Sequence, residues 1–409
     1  MPDLFQKGFF VEEISRRIKA GRKAKASEPT SPCEGCPLND GRPKVSSFGN
    51  PDTARIVFVG EKPGRAEVKH GRPFVGETGQ LTRMTLRQET SLDPEGEVYW
   101  GNIIRCLAEP DELTEVQEKQ VAKRCGAYIA SELLGIRPDV PVVGAGNVPL
   151  GYFFREGGIT GERAVVRLLP DGRRYFPVFH PAYLLKEEEA ERAARERIFR
   201  ADLRRLDRWL AQRAVWTMPA SYHFVTTEKM LREVEKRLLA ATDLFFDFET
   251  PGLHPWSFPR GEPRLIAVGF SVAPGEAWGI ALAHPEAPLP LDLTWPMLKR
   301  VMAGPSWKGA LKGQHDLHWG GWFGLEVTNF CGDAMLAATL LADKPYTEIK
   351  SNLLRLAADW LWEVEYPWLH IDKARMMEHP VETVVGIAMT DVDWEFRIHR
   401  ELLKALAAR

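Results

Sequence analysis

No stretch of the 409 residues offers the ~18 consecutive apolar positions needed to cross a bilayer, since the 44% hydrophobic residues are dispersed among 27% charged ones. The amino-terminal segment MPDLFQKGFFVEEISRRIKAGRKAKAS lacks the apolar run and small-residue cleavage site of a secretory signal. Cysteine is sparse, five in all, and nothing points to an oxidising compartment, so reduced or metal-bound thiols in a cytoplasmic protein are expected. There is no excess of charge of one sign: the formal net charge is −2, which excludes a simple polycation that coats nucleic acid. No internal repeat and no low-complexity segment is found, and the composition excludes collagen, coiled coil and wholesale disorder.

What is present is α/β patterning over a length suited to two or three domains. Residues 55–60 (RIVFVG) and 139–146 (DVPVVGAG) are short β-branched runs ending in glycine. Residues 186–213 read as one charged helix with Ile198, Leu203, Leu206 and Leu210 as its apolar stripe. A proline-containing stretch at 214–221 breaks the helical period and reads as a linker. Beyond it, 228–241 reads as helix, 244–249 and 264–272 as neighbouring strands, and 333–343, 351–361 and 382–406 as helices. Charge divides with the chain: residues 1–213 carry 35 Lys and Arg against 31 Asp and Glu, whereas 214–409 carry 19 against 25. A +4 half suits phosphate, and a −6 half suits either solvent or a cation.

Cys33 and Cys36 form a CxxC, with Cys106 and Cys125 downstream and Cys331 apart from them. Four thiolates suit zinc or an iron–sulfur cluster. Around them run, in order, CEGCPL, GEKPGRAE, GRPFVGETGQL, VYWGNIIRC and HPAYLL. Over about residues 31–206 this series resembles the family 4 uracil-DNA glycosylases. The resemblance implies a 4Fe-4S cluster on Cys33, Cys36, Cys106 and Cys125, with zinc as the lesser option.

Cleaving a glycosidic bond to uracil demands a flipped base, a stacking surface, an amide-edge reader and stabilisation of the departing anion. Phe74 is the stacking candidate. Asn102, at a strand end, can donate to O4 and accept from N3–H, a pattern cytosine cannot satisfy. His180 can donate to the oxyanion at O2. The resemblance implies Leu184 as an apolar wedge into the vacated stack, and Glu61 or Glu67, with Glu67 favoured, as the carboxylate that positions water. Lys62 departs from the family pattern. A lysine ~5 Å from a cationic sugar would cost ~3 kcal/mol at an effective dielectric of ~20, about two decades in rate.

In the second half, LFFDFETPGLH puts Asp247 and Glu249 at i and i+2 on one strand face, where like charges repel unless a cation lies between them. Asp316 follows in LKGQHDLHW, and Asp391 in MTDVDWEFRIHREL, with Asp393 close by. Across about residues 222–409 the series resembles the 3′–5′ exonuclease domain of family A DNA polymerases. The resemblance implies two Mg²⁺ or Mn²⁺ ions on Asp247, Glu249, Asp316 and Asp391, and Leu253 as a wedge against terminal bases. The family's tyrosine four residues before the last acid, or histidine five before, is replaced by Ile387 and Gly386, and the asparagine four before the third acid by Lys312. Reduced exonuclease activity is therefore expected.

Together these readings predict an α/β chain of two domains. A uracil-DNA glycosylase-like α/β/α sandwich with an N-terminal basic helix (1–213) precedes, after the linker at 214–221, a ribonuclease H-like, DnaQ-type exonuclease domain (222–409). DNA is the expected partner, together with a separately encoded polymerase. The alternative is a non-catalytic uracil-sensing or DNA-binding subunit that docks on such a polymerase.

Overall fold

The computed structural model describes residues 31–154, 158–185, 189–212, 218–342 and 352–409. The expected N-terminal basic helix, the first half of the linker and the start of the expected helix at 351–361 lie outside them. The chain divides into two compact units, Met1–Arg213 and Ala214–Arg409.

In the first unit β1 (Ile56–Gly60) pairs in parallel with β2 (Val98–Asn102) and with β3 (Val142–Ala145). β4 (Arg167–Leu168) and β5 (Arg174–Val178) complete a five-stranded sheet in the order β2-β1-β3-β5-β4. All five residues of β1 are buried, as expected of a parallel strand covered on both faces. Val57 and Val59 join one core with Val121 and Ile129. Phe58, facing the other way, meets Phe74 and Trp100 at ring-centroid distances of 5.2 Å each. The helices used below are α1 (Arg65–His70), α2 (Glu77–Glu89), α3 (Glu115–Cys125), α4 (Pro181–Leu184) and α5 (Glu189–Ala211). The buried stripe of α5 is turned from the expected one. Leu203 and Leu206 are fully buried, but Phe199 and Trp209 flank them, while Ile198 and Leu210 are only half-buried. Phe199 and Trp209 thus take the buried places expected for Ile198 and Leu210.

The second unit has a six-stranded mixed sheet, β11-β10-β7-β8-β9-β6, built from β6 (Tyr222–Phe224), β7 (Asp243–Glu249), β8 (Ala267–Ala273), β9 (Glu276–Ala281), β10 (Trp307–Ala310) and β11 (Phe330–Asp333). Two antiparallel pairs, β7–β8 and β8–β9, form its centre. Across them lies the long helix α7 (Val381–Ala407), and α6 (Gln314–Trp322) follows β10. Glycines let α7 approach closely. A Cβ on Gly269 would stand 2.2 Å from the carbonyl oxygen of Ala388, and one on Gly279 would stand 2.3 Å from Val385 Cγ1.

Candidate functional site

In the first unit the register sets Gly60 opposite Asn102 at the carboxyl ends of β1 and β2, where open parallel sheets bind ligands. Asn102 is buried, and its Nδ2 donor has no hydrogen-bond partner among the described residues. Phe74 lies against this strand end. Its ring is 4% exposed and 5.0 Å from that of Trp100. Gly60 leaves room for both, since a Cβ there would stand 2.5 Å from Asn102 Oδ1 and 2.7 Å from Phe74 Cζ. Phe74 has a φ of 55°, rarely adopted outside glycine, and Glu67 and Arg83 hold it there. The Glu67 carboxylate accepts the N–H of Phe74 and that of Gly64, and Arg83 Nε donates to the Phe74 carbonyl at 3.0 Å. Burial lifts the Glu67 carboxyl above its ordinary pKa, against those two N–H groups. Such geometry suits a positioning residue.

Lys62, which charge arithmetic marks as a liability, is clasped by two acids. Its Nζ lies 2.8 Å from Glu118 on α3 and 3.2 Å from Glu61. Burial opposes its charge, but these partners outweigh it and hold the pKa above that of an ordinary lysine. The ammonium is thus neutralised locally instead of facing a substrate alone.

His180 caps α4, its Nδ1 accepting the N–H of Ala182 at 3.1 Å. A neutral ring so bonded carries its proton on Nε2. Leu184, the wedge candidate, is 1% exposed and packs in the core in the absence of DNA. The exposed apolar group of that segment is Tyr183, at 41%.

The cysteines converge from distant parts of the chain. Lys44 bridges Cys106 in an antiparallel contact that lays the early segment along the sheet edge, and α3 ends at Cys125. Cys33, Cys36, Cys106 and Cys125 line one cavity with Lys44 and Tyr128. Cys33 Sγ lies 3.2 Å from Tyr128 Oη, whose hydrogen bond lowers the thiol pKa. Burial pushes Cys125 up to about 11 and raises Cys106. Cys331 is exposed in the other unit.

There, β7 presents Asp247 and Glu249, and α7 presents Asp391. Carboxylate oxygens of the three lie within 4.8 Å of one another. Asp316 on α6 adjoins them, its Oδ1 accepting the Phe248 N–H at 3.0 Å. Burial, with the Asp391 charge, pushes Asp247 up to about 7, and burial drives Glu249 and Asp316 well above the usual carboxylate range. Glu249 Oε1 is buried with no hydrogen-bond partner among the described residues. Crowded acids of this kind fit divalent cations. Asp393 is set apart, bonded to Tyr222 Oη at 2.8 Å and to the Gly275 N–H at 2.5 Å. Leu253 is 78% exposed beyond the end of β7. Lys312 has a φ of 56° and its N–H points to Asp333, so its part is in the turn before α6.

Three groups escaped the sequence reading. Tyr366 Oη donates to Asp391 Oδ1 at 2.5 Å, and Lys373 Nζ to Oδ2 at 2.9 Å. Glu395, one turn beyond Asp391, is buried and accepts the Leu311 N–H at 3.1 Å. The departure at Gly386 and Ile387 has a packing cause. Ile387 is fully buried, and a Cβ on Gly386 would stand 2.7 Å from Trp368. The segment before α7 thus fills that helix turn and brings its own phenol, from Tyr366, to Asp391.

Residues 46–204 match the family described as uracil DNA glycosylase superfamily, and residues 222–407 match 3′–5′ exonuclease. The type-4 uracil-DNA glycosylase of Thermotoga maritima is 39% identical over 168 residues, 40% of this chain and 84% of that protein. The type-4 enzyme of Sulfurisphaera tokodaii is 28% identical over 169 residues, 39% of this chain and 74% of that protein. Among solved structures, Brucella melitensis NrnC with bound Mg²⁺ superposes with a TM-score of 0.33 at 20% identity, covering 46% of this chain and 81% of that one. Escherichia coli RNase D gives 0.35 at 17%, covering 46% and 45%. No helix among the described residues is long and apolar enough to cross a membrane. The chain belongs to the type-4 uracil-DNA glycosylases and carries a 3′–5′ exonuclease domain after the glycosylase domain.

Proposed function

We propose that the first unit excises uracil from DNA without a catalytic metal and that the second trims 3′ ends with divalent cations. The observation that carries the first half is the buried, unpartnered Nδ2 of Asn102 beside Phe74. An orphaned buried donor is costly unless a ligand completes it. Uracil O4 would accept from Nδ2 while N3–H donates to Oδ1, with the base stacked on Phe74. His180, protonated on Nε2, would donate to O2 as negative charge gathers there. Glu61 supplies a carboxylate for water and for the cationic sugar, and Glu67 sets Phe74 in place.

Cys33, Cys36, Cys106 and Cys125 would hold a 4Fe-4S cluster. The support for this is that all four thiols, from distant parts of the chain, line one cavity. In the second unit Asp247, Glu249, Asp316 and Asp391 would hold two Mg²⁺ or Mn²⁺ ions. Such ions lower the pKa of water and stabilise the leaving 3′ oxygen. Tyr366 fixes the Asp391 carboxylate, and exposed Leu253 meets the terminal bases. A polymerase encoded separately and a bacterial cytoplasm complete this reading.

The test is one gel: a 5′-labelled uracil oligonucleotide incubated with the chain in EDTA, Mg²⁺ or Mn²⁺. An alkali-labile site in every lane and a 3′ ladder in the metal lanes only are expected, with the ladder lost in Asp247→Ala. Uracil DNA left intact under all conditions would favour the binding-subunit alternative.

A further inference from the structure

The Asp391 carboxylate is already spoken for. Tyr366 takes one oxygen and the ammonium of Lys373 the other, 2.9 Å away. The same residue belongs to the three acids whose oxygens converge within 4.8 Å. Lys373 opens a short 3-10 turn, Lys373–Glu378, capped by Asp372, so its charge arrives from outside the sheet and α7. Its side chain as a whole is 52% exposed while that of Asp391 is 7% exposed, so the arm runs along the surface and only its charged end reaches in to the buried carboxylate. A monovalent cation on a withdrawable arm thus stands where a divalent one would bind.

We infer that Lys373 is a built-in competitor for a divalent cation at Asp247, Glu249 and Asp391. This rests on the metal-site reading above. Cation binding and Lys373 release are then linked, and each must weaken the other by the same factor. The acids hold the ammonium in the resting chain, and a cation evicts it.

The experiment titrates the full chain, freed of divalent ions on a chelating resin, with Mn²⁺ and follows free Mn²⁺ by electron paramagnetic resonance, with Asp247→Asn as the blank. Lys373→Met keeps length and removes charge. It is expected to bind Mn²⁺ at this site at least tenfold more tightly, about 1.4 kcal/mol, whereas Lys373→Arg stays within threefold of wild type. Lys373→Met within twofold of wild type overturns the proposal while leaving the metal site intact. Mn²⁺ binding that matches the blank in every protein removes both. A second readout needs no substitution: reductive methylation of Lys373 in the wild-type chain, quantified by mass spectrometry, should rise on adding Mn²⁺, and an unchanged or reduced extent refutes eviction.

Discussion

Replacing Gly60 by alanine tests the base pocket without touching any group that carries chemistry. The new methyl carbon would stand 2.5 Å from Asn102 Oδ1 and 2.7 Å from Phe74 Cζ, against ~3.5–4.0 Å for an ordinary contact. Each neighbour must therefore retreat by about 1 Å. Phe74 has little room to do so, because Glu67 and Arg83 hold its backbone. A displacement of ~1 Å costs on the order of 10²-fold in rate, and overpacking costs ~1–3 kcal/mol of stability. The expected result is single-turnover uracil excision reduced about 100-fold or more, with a Tm lowered by a few degrees and 3′ trimming unchanged. Excision within threefold of wild type in a folded Gly60→Ala protein would show that uracil is read elsewhere.

Asn102→Asp removes the Nδ2 donor. A loss of ~10²–10³-fold in excision is expected from comparable single-donor deletions, measured on the same oligonucleotide, and an unimpaired variant would count against the amide match. Anaerobically purified protein should be brown and contain about four irons per chain; stoichiometric zinc with no visible absorbance would refute the cluster. Metal-free protein should show a pH-dependent Tm in its exonuclease unit. Asp247, raised by burial to about 7, binds its proton more tightly folded than unfolded, so its stabilisation is complete below ~pH 4 and lost as pH rises through about 7. Melting in EDTA from pH 5 to 8 should show a falling Tm, and Mn²⁺ should flatten the curve; a Tm that rises with pH in EDTA would contradict this.

The two α/β units were legible because they rest on local pattern. The i, i+2 spacing of Asp247 and Glu249 dictates a shared face, and RIVFVG could hardly be other than a buried strand. The burial of Leu184 was not legible, because a leucine after HPAY reads equally as wedge or core and only packing shows where its side chain lies. Tyr366 and Lys373 were invisible for a different reason. They reach Asp391 from 25 and 18 residues away through an irregular segment whose path no periodicity encodes. Lys62 looked like an isolated charge because Glu118, its partner, lies 56 residues on.

Gly269 pairs with Asp247 in the β7–β8 ladder and lies beneath the Ala388 carbonyl of α7. The separation between the strand that offers Asp247 and the helix that offers Asp391 is therefore gauged by a hydrogen atom. A methyl group at Gly269 would meet the Ala388 carbonyl and lift α7, carrying Asp391 away from Asp247. The spacing of the two acids is thus set by a residue without a side chain, which a sequence comparison confined to the acids would pass over.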